Sequence, residues 1–260
     1  MTRTRSHRVR RALSRLTFTT LFTVGLAVQA RASETGSLAP KQDTPASSAE
    51  LKAPRPAGRQ LPALLATLGK AELEKEALPG CAYRERTHVE ELTDDGKVKG
   101  SLERSWKIVR QGDASTRTLL SSEQTGELSD LLTREPKEPT PEERKAQRSP
   151  LHPAQQSHFI FSLQEEKDGR LRLGFRPKKR DAKWMQGTMH LDAESLELVR
   201  MVASPSKMPP MVSSLDLDLR FGPTACGVQP HRIRVKGKGG FLFMKLNFRS
   251  DTRLDAFERP

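Results

Sequence analysis

Aromatic side chains are scarce in this chain: two tryptophans, one tyrosine and ten phenylalanines make up 5% of its 260 residues. Proteins that track single-stranded nucleic acid stack bases on aromatic faces, so that function is poorly served here. Cysteine is scarcer still, and neither Cys81 nor Cys226 has a C-x-x-C companion or a nearby histidine, which argues against a zinc site. The apolar stretch from Leu16 to Val28 is shorter than the about 20 residues a membrane-spanning helix needs. G-x-S-x-G, H-E-x-x-H and G-x-x-x-x-G-K-[ST] are all absent, which removes three common signatures of hydrolases, metalloproteases and nucleotide binders. No repeat of solenoid length and no composition break divides the part that can fold.

What is present begins with an export signal. The first 15 residues are basic, the apolar stretch follows, and Ala30 and Ala32 then stand at A-x-A spacing. Residues 1–32 are read as a signal peptide cleaved after Ala32, which places the mature protein in the periplasm. Arg10-Arg11 leaves ordinary secretion and twin-arginine export both open. Removing the signal changes the charge argument. The 45 Lys and Arg include seven arginines before residue 33, so the remainder carries 38 basic against 32 acidic residues, a net of +6 rather than +13. Much of the apparent basicity belongs to targeting. Outside the cytoplasm a lone pair of cysteines is expected to form one disulfide, Cys81–Cys226, closing a long loop; two free buried thiols are the alternative.

Residues 33–59 are rich in Ser, Ala, Pro and charge and hold almost no large apolar side chain, the composition of a flexible linker. Residues 60–260 form the expected folded domain. Leu61, Leu64, Leu65 and Leu68 recur at helical spacing, with Pro62 in the first turn and Pro79-Gly80 as the stop. From Cys81 the period changes to two. "CAYRERTHVEEL" and "KVKGSLERSWKIVR" flank Asp94-Asp95-Gly96, and "HFIFSLQEE" and "RLRLGFRP" flank Lys167-Asp168-Gly169, two D-G hairpin signals. In "SLDLDLRFG", Leu215, Leu217, Leu219 and Phe221 share one face. "HRIRVKGKGGFLFMKLNFRSDTRL" reads as two strands around a glycine turn. Pro-rich residues 133–157 read as a long surface loop, with one helical turn around Glu142–Gln147. The sum is a mainly β (α+β) protein, an antiparallel sheet with one solvated face packed on one or a few helices.

The segment closest in appearance to an active site is "KWMQGTMHLDAESLELVRM". His190 and Asp192 share a face if this is a strand, yet Asp192 opens "DAES", and an aspartate at that position bonds backbone N–H groups two residues on. The strand–turn–strand reading accounts for it without a metal. "KMPPM" sets Met208 and Met211 at copper(I)-like spacing, but two prolines between methionines suit an apolar loop better. Arg176, Lys178, Lys179, Arg180 and Lys183 cluster between strands, either as a solvated loop or as a contact for anionic headgroups or an acidic partner. No cofactor, metal or catalytic set is expected.

"AYRERTHVEELTDDGKVK", the "F-x-P" of "GFRPKK", the strand and turn "GTMHLD" and "PHRIRVKGKGGFLF" together resemble exported bacterial proteins of the LolA/RseB-like superfamily, across most of Cys81–Phe257. The resemblance implies a strongly curved, open antiparallel half-barrel with helices on its concave side, and an apolar hollow for an acyl chain or a partner segment. Leu215, Leu217, Leu219, Leu242, Met244 and Leu246 are the residues expected to line that hollow. The function implied is a non-enzymatic periplasmic carrier of a lipid, a lipoprotein acyl chain or a hydrophobic segment, peripheral to the membrane at most and without nucleic acid. The alternative is an envelope sensor that binds a protein through the basic loop.

Overall fold

The computed structural model describes residues 60–76, 80–111, 114–135, 148–241 and 244–259. The expected signal peptide, linker and helical turn at Glu142–Gln147 lie outside them. Ten strands form one curved, open sheet. They are β1 (Cys81–Leu92), β2 (Val98–Gln111), β3 (Ala114–Gly126), β4 (Phe159–Lys167), β5 (Arg170–Pro177), β6 (Met185–Asp192), β7 (Leu198–Pro205), β8 (Val212–Thr224), β9 (Gly227–Phe241) and β10 (Met244–Glu258). The spatial order is β3-β2-β1-β10-β9-β8-β7-β6-β5-β4, and every neighbouring pair is antiparallel. The chain thus makes a meander from β4 to β10, which is continued by β1, β2 and β3. Among the described residues three helices accompany the sheet: α1 (Leu61–Glu76), α2 (Asp130–Thr133) and α3 (Pro153–Gln156).

Strand parity decides what each face does. In β1, Tyr83, Glu85, Thr87, Val89 and Glu91 are buried while Arg84 and Arg86 are exposed. The register carries that inner face through Phe248, Ser250, Thr252 and Leu254 of β10, Val235 of β9, and Leu215, Leu217 and Leu219 of β8. It continues to Met201, Met189, Leu173 and Leu171. The helices pack on this face. Leu64 and Leu68 of α1 join a core in which Leu171, Leu173, Met189 and Leu191 are fully buried. Gly69 lets α1 approach α3, since a Cβ there would stand 2.8 Å from the Gln156 amide nitrogen. That amide donates to the Leu65 carbonyl at 2.9 Å and so ties the two helices. Part of the expected 133–157 loop is therefore structured: α3 begins after His152, whose Nδ1 accepts from the Ala154 N–H at 3.1 Å as a cap.

The D-G signals hold. Asp168 and Gly169 both have positive φ, the requirement of the tight hairpin between β4 and β5. The glycine-turn expectation is corrected. Gly237, Gly239 and Gly240 lie inside β9, and the strand continues to Phe241 before the chain reverses. Space explains them: a Cβ at Gly237 would stand 2.4 Å from the Phe248 ring, and one at Gly239 2.4 Å from the Met211 carbonyl. These glycines admit a ring and a neighbouring backbone rather than make a turn.

Candidate functional site

Asp192 is a turn residue. Its Oδ1 accepts from the N–H groups of Glu194 (3.1 Å) and Ser195 (2.9 Å) and from the Ser195 hydroxyl (3.0 Å), and the Ser195 backbone bond leads in holding its carboxyl below the usual range. His190 stands on the outer face between Arg172 and Arg200 of the adjoining strands. Partial burial, then these arginines, push its pKa down. Among the described residues no three His, Cys, Asp or Glu side chains converge on a metal-sized site. Met208 is exposed on the loop between β7 and β8.

The residues expected to line a hollow fall into three environments. Leu215 and Leu219 are buried, in two different apolar clusters. Leu217, between them on the same face, is half-buried and touches both clusters, as does Ile233 of β9. Leu246 is half-buried beside the second cluster. Leu242 and the side chain of Met244 lie outside the described residues. The inner face thus has two halves: α1, together with Leu151 just ahead of α3, packs on β4–β8, while the described cover over β9, β10, β1 and β2 is the single turn of α2, which contributes Leu132.

That second half holds polar residues the sequence reading passed over. A small, half-open cleft there is lined by Thr87 and Val89 of β1, Leu102, Arg104 and Trp106 of β2, Arg117 of β3, and Leu132 and Arg134 at α2. The Arg117 guanidinium donates to Glu85 Oε1 at 2.6 Å and lies 4.2 Å above the centre of the Trp106 ring. Both partners are deeply buried, with 9% and 3% of their side chains exposed. Burial pushes the Glu85 carboxyl up, against the pull of Arg117 and Arg110. Arg104 donates to the main-chain carbonyls of Thr133 and Arg134, fastening the end of α2 to the sheet. Glu91 accepts from the Ser129 N–H at 2.6 Å and so fastens its beginning. Parity could have found these residues: in "YRERTHVEE" the positions sharing a face with Tyr83 and Val89 are Glu85, Thr87 and Glu91, an unusual amount of polarity for an inward row.

The basic loop lies on the surface. Arg176 faces outward from β5, and Lys178, Lys179, Arg180 and Lys183 are exposed. The outer face that it joins is itself rich in cations. Arg232, Arg234, Lys236 and Lys238 run along β9, and Asp251 holds the first two while Asp218 holds Arg200 in a two-pronged pair. Cys81 and Cys226 are joined, with Cα atoms 5.9 Å apart.

No protein-family model matches the chain, and no curated protein matches it in sequence. Among solved structures it is similar to a LolA superfamily protein from Nitrosomonas europaea, with 11% identity over 74% of this chain and 93% of that one and a TM-score of 0.35. It is also similar to a DUF1329 family protein from Desulfovibrio piger, with 11% identity over 76% of this chain and 92% of that one and a TM-score of 0.36. A third is the MucA/MucB complex of Pseudomonas aeruginosa, with 9% identity over 74% of this chain and 94% of that one and a TM-score of 0.27.

Proposed function

We propose that this chain is an exported, non-enzymatic periplasmic binding protein that holds an acyl chain or hydrophobic segment against the inner face of its open half-barrel. The observation that carries the reading is the seam at the middle of that face. Leu217 and Ile233 point inward yet stay half-buried between the two apolar clusters. A ligand chain along the seam would gain about 25 cal/mol for each Å² of apolar surface removed from water. Leu215, Leu217, Leu219, Leu242, Met244 and Leu246 are the proposed lining, with Leu217 at its centre. The mature protein would begin after Ala32, with residues 33–59 as its tether.

Leu217→Gln separates a lining residue from a core residue. In a fluorescent fatty-acid titration the variant is expected to lose at least tenfold in affinity while keeping its circular dichroism spectrum and cooperative melt. Leu173→Ala, in the filled half, is expected to lose about 2–5 kcal/mol of stability and keep its affinity under conditions where it is folded. Unfolding of Leu217→Gln would make that position core and remove the seam.

A second reading rests on the cationic outer face and the exposed loop that leaves it at Arg176: contact with an acidic envelope protein. Such binding would weaken steeply between 50 and 300 mM salt, because exposed charges are screened over about 10 Å at 0.1 M ionic strength. Lys178→Ala/Lys179→Ala/Arg180→Ala would weaken it further. Binding indifferent to both changes would exclude the loop.

A further inference from the structure

We infer that the cleft between β1, β2, β3 and α2 is a site for a compact anionic group, a carboxylate or a phosphate, carried by the amphiphile whose apolar part lies along the inner face. The inference rests on the proposed binding function and adds the chemistry of the ligand's polar end.

Three arginines line the cleft: Arg104, Arg117 and Arg134. The inward carboxylate among them is Glu85, which is bonded to Arg117 and also feels Arg110. Arg104 is held by backbone carbonyls, which accept its hydrogen bonds but bring no negative charge. Glu91, the other inward carboxylate of β1, is engaged by Lys99 at 3.1 Å and by the Ser129 N–H, so it offsets neither guanidinium. With Glu135 acting on Arg104 from the surface, three guanidinium groups meet two carboxylates, a surplus of one positive charge beside partly buried walls. Burial leads in lowering the Arg104 pKa and Arg117 acts the same way, while the exposed Glu135 carboxylate acts against them.

The second observation is a vacant donor. Arg117 Nε is buried and has no hydrogen-bond partner among the described residues. A buried donor on a charged group is costly to leave unmatched. Glu85 on one Nη and the Trp106 ring beneath the guanidinium fix its plane, which holds the Nε–H within the wall of the cleft. The apolar members of the lining, Val89, Leu102, Trp106 and Leu132, adjoin the same donors. Beyond them, Leu119 of edge strand β3, opposite Trp106 on the inner face, is 41% exposed, and Leu131 on α2 is 42% exposed. Guanidinium groups beside exposed apolar side chains suit a molecule with an anionic head and a hydrocarbon tail.

The test uses the signal-processed protein carrying Trp184→Phe, so that fluorescence reports Trp106 alone. It is titrated at pH 8 with dodecanoate, dodecyl phosphate, dodecanol and inorganic phosphate. The expected result is that either anionic amphiphile binds at least tenfold tighter than dodecanol. Arg134→Gln, a change at an exposed side chain, should reduce that preference about threefold. Glu85→Gln/Arg117→Gln, which removes the pair together and leaves no lone buried charge, should abolish it. Inorganic phosphate binding with an affinity near that of dodecyl phosphate would support the anion site and assign it to a free anion rather than a lipid headgroup. Equal binding of dodecanoate and dodecanol would overturn the anion site and leave the apolar seam standing. No response to any of the four, with the melt unchanged, would overturn both.

Discussion

Replacing both cysteines by alanine is expected to lower the unfolding free energy by about 4–5 kcal/mol. Cys81 opens β1 and Cys226 lies in the turn between β8 and β9, 145 residues away in sequence. In the chain-entropy account a link across so long a loop removes a large set of conformations from the unfolded chain. Domains of this kind have a net stability of only about 5–15 kcal/mol, so the doubly substituted chain would sit near the edge of folding. The link joins the segment that enters the sheet first in sequence to the hairpin that enters almost last. Guanidinium denaturation of the oxidised protein and of Cys81→Ala/Cys226→Ala measures the difference. A loss under about 1 kcal/mol would mean that the unfolded chain already keeps β1 near the β8–β9 turn without help from the bond.

The second large effect is electrostatic. Arg117→Ala leaves Glu85 buried without its partner and is expected to cost about 3–5 kcal/mol at neutral pH. Glu85→Gln/Arg117→Met, which removes both charges, should cost far less. The pH dependence follows from the direction in which Glu85 is shifted. Burial raises its pKa above that of the unfolded chain even with Arg117 present. The native state therefore takes up the proton first, and stability rises as pH falls from the folded pKa toward the ordinary carboxylate range. Removing Arg117 deletes an influence that lowers the pKa, so the variant regains stability over a wider span of acidification than the wild type. Melting temperatures recorded from pH 8 to pH 5 should show the gap between wild type and Arg117→Ala narrowing as pH falls. In a Glu85→Gln background the gap should not change with pH. A gap of constant size in the Glu85 protein would trace the cost to lost stacking on Trp106 instead of charge.

The strands and the two D-G hairpins were largely readable because each rests on local chemistry, whereas the pairing of β1 with β10 does not. β1 occupies the residues its alternation marks, and the D-G signals fall at turns. The leucine period beginning at Leu61 became α1. Where the sequence misled, the cause lay across the sheet. "GKGG" looks like a turn until Phe248 and the Met211 backbone are seen to need the space. α2 is one turn just ahead of the Pro-rich region and has no periodicity to reveal it; it is held by Arg104 and Glu91, 29 and 38 residues distant in sequence from their partners. The sheet face carrying Leu215, Leu217 and Leu219 was legible from alternation. Their division into two buried residues and one half-buried residue was not, since it depends on where the helices end. The arginine cleft escaped for a further reason: Arg104, Trp106 and Arg117 come from two strands whose bulged register sets them side by side.

An inner face that carries an anionic amphiphile should leave the cell with that molecule bound. The signal-processed protein would be purified gently from the cell envelope and examined by native mass spectrometry, with extraction and identification of any lipid. The account predicts a stoichiometric adduct with the mass of an acyl-chain lipid bearing a carboxylate or phosphate, lost in Leu217→Gln. A bare protein, from a preparation in which a known carrier retains its lipid, would contradict the account and shift attention to protein contact through the basic loop.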